Sequence, residues 1–306
     1  MRTPIHIIKL VILFLLFNLS YNCNKKEDST DTEEETIVNY EKYKDIFIVD
    51  IHNHDASGYK YQQSLVTWTK YGIDKIVLFG DISEPSAITT DEIAFEAYEA
   101  NTDRFFPFIA GINIFDTSCL TYIRERFTAG VYGIGEVAAA STNSPVVSNL
   151  PWKGEHPLDG YFSEIYDLCA EFKKPILLHI DPPSGFPITK LKEAATLYPD
   201  TNFIFGHANA YNSPSEIESL IAAHDNIYID FFAGFTAYNK DSNFKLENYV
   251  ALIKKYPLRF MVSSDSGYGI TYDQAYLAIF ELFELLDTAT VEKIAGQNFL
   301  GLINNN

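Results

Sequence analysis

Ile51-His52-Asn53-His54 follows the first β-like run of the chain, predicted over 46–50. In a doubly wound open sheet this place holds a glycine-rich turn that cradles phosphate. Two imidazoles stand here instead, so the rest of the chain must say which α/β architecture carries them. Seven further short apolar runs follow, at 75–79, 105–109, 130–136, 175–179, 202–206, 226–231 and 260–264. Each has the character of a strand buried on both faces. Amphipathic segments lie between them. In 159–172, Phe162, Ile165, Tyr166, Cys169 and Phe172 recur at three- and four-residue intervals, as one helix face requires. The segment 215–224 follows Pro214, with Ser213 placed to cap it. The segment 245–256 stops at Pro257, which cannot continue a helix, and 272–286 and 290–302 close the series. Eight strand–helix units predict an α/β fold, a single (β/α)8 TIM barrel over 45–306. No internal sequence repeat is present.

Composition agrees. Apolar residues make up 47% of the 306, and 15% are aromatic, so a large core is available and general disorder is excluded. Lys and Arg number 23 against 41 Asp and Glu, a net charge of -18, which argues against a nucleic-acid partner. Three cysteines exclude a disulfide scaffold, and no Cys-x-x-Cys pair suggests a zinc finger. Cys119 and Cys169 fall in helical segments and read as buried free thiols.

The N-terminal region reads as an export signal over 1–22. Arg2 and Lys9 precede an apolar run, 10–17, too short for a membrane span but suited to a signal peptide. Leu19-Ser20-Tyr21-Asn22-Cys23 resembles a bacterial lipobox, which implies a lipid on Cys23 as the one membrane contact. The acidic, Ser/Thr-rich stretch that follows reads, over 23–44, as a flexible tether. Acidic residues just after the cysteine resemble the surface-export signal of Bacteroidetes-type lipoproteins. The expected location is therefore the outer membrane, with surface exposure, or the periplasm or medium if Cys23 carries no lipid.

The histidines carry the functional argument. His6 lies in the signal, His224 at a helix end where a cation would meet the helix dipole, and His156 in the loop after strand four. The other four stand at strand ends. His52 and His54, two residues apart, share one face of strand one. His179 ends strand five, His207 ends strand six, and Asp265 ends strand eight. In a barrel these ends open on one mouth, where active sites sit. Imidazoles with a carboxylate suit Zn2+ and related ions, and such an ion brings the pKa of its water toward about 7. Glu136 ends the run Gly133-Ile134-Gly135-Glu136, and a buried carboxylate there needs a partner, for which a metal is the obvious choice.

This set, His52-Asn53-His54, Glu136, His179, His207 and Asp265, resembles that of the amidohydrolase superfamily. The closing Ala295-Gly296-Gln297-Asn298-Phe299-Leu300-Gly301-Leu302 is similar to the last helix of its amidohydrolase-2 group. The resemblance spans about 45–303. It implies one or two divalent ions, with His52, His54 and Asp265 on one, His179 and His207 on a second, and Glu136 as the bridge, as in TatD-like members. With one ion, His179 would join the first site and His207 would polarise the substrate. Asp265 would be the general base in both cases. The reaction implied is hydrolysis of an ester, lactone or amide of a small molecule. The alternatives are decarboxylation of an aromatic acid and a binding protein on a retired scaffold. Loop residues Tyr59, Tyr61, Trp152, Phe186, Tyr211, Phe235, Tyr238 and Tyr268 are expected to line the pocket, with Lys60, Lys153 and Lys240 as its few cations. Oligomeric state is not legible in the sequence.

Overall fold

The computed structural model describes residues 40–265 and 269–304. The expectations for the export signal, Cys23, most of the tether and Tyr268 lie outside the described residues. Eight parallel strands run in chain order around one sheet: β1 (Val49–Asn53), β2 (Lys75–Leu78), β3 (Phe105–Ile109), β4 (Gly133–Ala140), β5 (Ile176–Ile180), β6 (Phe203–Phe205), β7 (Ile227–Phe232) and β8 (Phe260–Ser263). The helices between them are α1 (Tyr61–Lys70), α2 (Pro85–Ala100), α3 (Ser118–Ala129), α4 (Phe162–Phe172), α5 (Phe186–Leu197), α6 (Pro214–Ile221), α7 (Ala233–Tyr238), α8 (Leu246–Lys255), α9 (Tyr272–Glu284), α10 (Thr288–Glu292) and α11 (Asn298–Asn304). This is the (β/α)8 barrel that the alternating runs predict. Among the described residues no helix is long and apolar enough to cross a membrane.

Two apolar layers explain why the strands are apolar on both faces. Phe79, Phe108, Leu177, Ile204 and Met261 fill the barrel interior. Ile76, Ile134, Leu178, Ile229 and Val262 pack outward under the helices. The bottom of the barrel is plugged by α11, whose Phe299 ring lies 5.5 Å from Phe106 and 6.1 Å from Phe108. Asn298 fixes that plug by donating from Nδ2 to the carbonyls of Pro257 and Phe260. Ser213 caps α6 in a capping box with Glu216. At the front of the folded body, Tyr40–Tyr43 forms a helical turn, and the Tyr43 ring packs on Phe280 and Phe283 of α9.

The seam between β8 and β1 is closed by a side chain. Asp50 is fully buried and accepts from Ser264 N (2.9 Å), Ser264 Oγ (2.6 Å) and Tyr276 OH (2.8 Å). Burial pushes its carboxyl above the ordinary range, against these hydrogen bonds. Just above, the Asp265 N–H donates to the His52 carbonyl at 3.1 Å.

Two irregularities aim the site. The register of β1 on β2 slips between Asp50 and Asn53. Ile51 and His52 consequently both face the interior, and the His52 ring lies 5.3 Å from that of Phe79. The second lies in β4, which starts and ends later than the expected 130–136, so Glu136 stands in mid-strand rather than at its end. Val137 and Ala138–Ala140 continue the strand because β5 supplies their ladder partners, up to Ala140 against Ile180. At Gly135, φ is 137° and a Cβ would stand 2.5 Å from that of Leu177. Only glycine lets β4 lie this close to β5 while Glu136 turns inward.

Candidate metal centre

Six residues predicted from the sequence converge at the mouth of the barrel. His52, His54 and Asp265 form one cluster and Glu136, His179 and His207 another, with the ligand atoms of each within 4.8 Å of one another. His52 and His54 bring their Nε2 atoms to 3.1 Å, and Asp265 Oδ1 lies 3.6 and 3.8 Å from them. In the second cluster His207 Nε2 lies 3.0 Å from His179 Nδ1. Glu136 stands between the clusters and divides its oxygens. Oε1 lies 3.0 Å from both His179 Nδ1 and His207 Nε2, while Oε2 lies 3.7 Å from His52 Nε2 and 3.6 Å from His54 Nε2.

The outer hydrogen bonds fix which ring nitrogen faces inward. A carboxylate or a carbonyl only accepts, so in the neutral ring the nitrogen beside it carries the proton. His52 Nδ1 lies 2.7 Å from Asp230 Oδ2, His54 Nδ1 lies 2.7 Å from the Gly80 carbonyl, and His179 Nε2 lies 3.3 Å from Asp181 Oδ2. The opposite nitrogens of His52 and His54 therefore turn their lone pairs into the site, whereas His179 stands between two carboxylates, with Glu136 Oε1 3.0 Å from its Nδ1. Lone pairs facing each other at about 3 Å repel unless a cation or a proton lies between them. This donor set fits divalent ions, with outer carboxylates orienting the imidazoles as metal-binding histidines require.

The sequence reading passed over Asp230 and Asp181. Asp230 Oδ2 accepts from His52 Nδ1 and also from the His207 backbone N–H at 2.9 Å, so one buried carboxylate serves both clusters. The signal was present: Ile227-Tyr228-Ile229-Asp230-Phe231-Phe232 is an apolar strand with one charge in it. Its bond to His207 also helps hold that residue at φ 36°, and Asp265 stands at φ 25°. Positive φ in non-glycine residues is strained, and here it falls on two candidate ligands.

Burial works against charge on His52, but the carboxylates of Asp265, Glu136 and Asp230 raise its pKa well above the ordinary value. His179 is likewise opposed by burial and raised, mainly by Glu136, to about 9. Burial would lift Glu136, yet His179 and His52 hold it well below the usual carboxylate range. A metal needs the neutral imidazole, so at neutral pH it must displace these protons. Zn2+ added to metal-free protein at pH 7 is expected to release more than one proton per chain, read with an indicator in weak buffer. Apparent affinity should rise as pH climbs toward the His179 value of about 9. Metal uptake without proton release would show that these histidines are not the ligands.

Two histidines stand apart. His156 Nδ1 accepts from Leu158 N at 3.1 Å, and its ring meets Phe186 edge-on, so it holds its own loop. His224 is not a cation on a helix dipole. The helix α6 ends at Ile221, and burial, Lys192 and Arg259 lower the His224 pKa. Cys119 and Cys169 are free and buried, and burial pushes Cys119 up to about 11.

The pocket differs from the expected aromatic bowl. A cavity of about 500 Å³ opens above the centre, lined by His54, Glu136, His179, His207 and Asp265 at its floor. Its wall is Ile82 with Pro145, Val146, Val147 and Leu150 of the β4–α4 loop. Tyr211 and Phe235 line a separate space of about 10 Å³ against His179, His207 and Asp265, room for a single water at most. Tyr59, Tyr61, Trp152, Phe186 and Tyr238 line neither space, and among the described residues Lys60 is the one lysine or arginine of the larger. The aromatics pack on their neighbours instead: Tyr59 meets Tyr61, and Tyr238 OH bonds to Glu281.

The amidohydrolase family profile matches residues 49–298. Among solved structures, a probable 2-pyrone-4,6-dicarboxylic acid hydrolase from Acinetobacter baumannii is 14% identical, with a TM-score of 0.59 over 84% of this chain and 99% of its own. A TatD homolog from Escherichia coli K12 is 17% identical, with a TM-score of 0.59 over 85% and 98%. A dihydroxybenzoic acid decarboxylase from Polaromonas, solved with manganese, is 14% identical, with a TM-score of 0.53 over 85% and 97%. At such identities the likeness is one of fold. No curated protein matches the sequence.

Proposed function

This chain belongs to the amidohydrolase family, and we propose that within it the chain is a two-metal hydrolase cleaving an ester, lactone or amide of a small molecule. One observation carries the reading: Glu136 offers one oxygen to each histidine cluster, as a carboxylate shared by two cations would. His52, His54 and Asp265 would hold one ion and His179 and His207 the other, with Zn2+ the ion best suited to this donor set. Ions held there supply Lewis acidity and a water of lowered pKa. Asp265 borders both the large cavity and the small space, so it is placed to take the proton that the attacking water loses. With a single ion, His179 would complete the first cluster and His207 would polarise the substrate carbonyl.

Decarboxylation of an aromatic acid has less support, because among the described residues Lys60 is the only lysine lining the cavity and no arginine stands there to clamp a carboxylate. A retired binding scaffold would be expected to lose ligands, and all six are in place. The test is metal content per chain together with ester, lactone and amide screens and CO2 detection. Two equivalents with hydrolysis support the reading, whereas CO2 release without hydrolysis replaces it.

The lipobox-like Leu19-Ser20-Tyr21-Asn22-Cys23 supports a further element of the proposal, an outer-membrane lipoprotein anchored at Cys23. Cells fed a clickable fatty acid should label the protein, and Cys23→Ala should abolish the label. Label retained in the variant would place the lipid elsewhere.

A further inference from the structure

The wall of the cavity is aliphatic and is held in place by hydrogen bonds. Pro145, Val146, Val147, Leu150 and Ile82 present one continuous aliphatic face above the ligands. Val146 is 75% exposed, so this face continues outward to solvent at the mouth. Among the described residues, the charged side chains that line the cavity besides the two histidine clusters are Asp81, Glu84 and Lys60. The face is built in advance. Asp181 accepts from Ser141 Oγ (2.5 Å) and from the backbone N–H groups of Thr142 (2.6 Å), Asn143 (3.0 Å) and Ser144 (2.8 Å). Ser144 Oγ in turn accepts from Val147 N at 3.2 Å. The same Asp181 orients His179 at 3.3 Å, so the wall is registered to the ligands through a single carboxylate. On the other side of the ligands the space against Tyr211 and Phe235 is only about 10 Å³, which leaves the aliphatic side for the substrate.

Resting on the hydrolase reading above, we propose that the substrate carries a neutral aliphatic acyl group that lies along the 144–150 loop, with its reacting carbonyl over the histidine clusters. An acidic acyl group would meet Asp81 and Glu84 without a guanidinium to receive it. A bulky aromatic one would lack the stacking partners that this wall does not provide. The loop thereby sets specificity, and Asp181 is a positioning residue that acts through it and through His179.

The test uses metal-loaded protein and two probe series, 4-nitrophenyl acetate, butyrate and hexanoate for turnover, and acetohydroxamate, butyrohydroxamate and hexanohydroxamate for calorimetric binding. Burial of each added methylene should raise kcat/KM, and tighten hydroxamate binding, by about fourfold. Val146→Asp, at an exposed position that does not threaten folding, should cut the hexanoate-to-acetate ratio about tenfold in both series. Hydrolysis of the esters with no chain-length gain overturns this inference and leaves the hydrolase reading intact. Chain-length gain in hydroxamate binding, with no hydrolysis of these esters or of lactones and amides, keeps the aliphatic wall as the binding face and overturns the hydrolase reading. A 4-nitrophenyl monoester of succinic acid preferred over the butyrate would also overturn it.

Discussion

Glu136→Ala is expected to leave one divalent ion per chain where two are proposed for the native protein, and to lower kcat/KM by about a thousandfold or more. The reason is the division of its oxygens: Oε1 lies 3.0 Å from each imidazole of one cluster, and Oε2 lies 3.6 and 3.7 Å from the imidazoles of the other. Without it, the second cluster keeps only His179 and His207, two neutral donors with no anion, while the first keeps the Asp265 carboxylate. Two cations a few ångströms apart also repel, and a buried shared anion is what offsets that repulsion. The structure keeps this anion ionised: burial opposes its charge, but His179 and His52 hold its pKa well below the usual range. Glu136→Gln keeps the shape and one carbonyl oxygen but loses the charge, so it should lose less metal than the alanine variant and still lose most activity. Elemental analysis of dialysed protein reads the stoichiometry directly. Two ions retained in Glu136→Ala, or one ion in the native protein with no further loss in the variant, would make Glu136 a structural partner of the histidines.

What the sequence disclosed, and what it hid, follows from which forces act locally. The strand order was legible because each strand is buried on both faces and so reads as an apolar run, with punctuation such as Ser213-Pro214 and Pro257 marking helix ends. The candidate ligands were legible as a group because a polar residue ending an apolar run is conspicuous, and the barrel brings such ends to one mouth. The extent of β4 was hidden because Ala138-Ala139-Ala140 carries no strand signal of its own and is held extended by its pairing with β5. The role of Asp230 was hidden for a different reason. A carboxylate in mid-strand points either to the interior or to the helices, and only the closed barrel shows it meeting His52 and His207. The aromatic lining was misread because loop side chains turn where tertiary neighbours receive them, as Phe186 turns to His156 and Tyr238 to Glu281. The aliphatic wall drew no attention because Pro145, Val146, Val147 and Leu150 carry no chemistry of their own. Its meaning comes from Asp181, which ties that loop to His179.

Asp230→Ala should weaken metal binding at both clusters at once, by about a hundredfold or more, though Asp230 itself lies outside both ligand sets. Its Oδ2 receives the His52 Nδ1–H at 2.7 Å and the His207 backbone N–H at 2.9 Å, and all of these groups are buried. Truncation leaves two buried donors unpaired, at about 1–3 kcal/mol each. It also removes what selects the His52 tautomer, so that Nδ1 no longer holds the proton away from the site, and what pins His207 at its positive φ of 36°. Both ligands then need to be reordered by the metal itself, which lowers affinity. Asp230→Asn separates geometry from charge. Its carbonyl oxygen can take the place of Oδ2 and keep both hydrogen bonds, while its amide replaces Oδ1, which has no hydrogen-bond partner among the described residues. The asparagine variant should therefore retain the tautomer and lose only the Coulombic support that Asp230 gives His52, costing about tenfold in affinity. Competition with a chromophoric chelator measures both variants, and urea unfolding of the metal-free forms separates ligand disorder from loss of the fold. A single affected ion, with the other bound as in the native protein, would show that Asp230 orients one cluster alone. Alanine and asparagine variants with equal losses would show that the charge, and not the hydrogen bonds, holds the site.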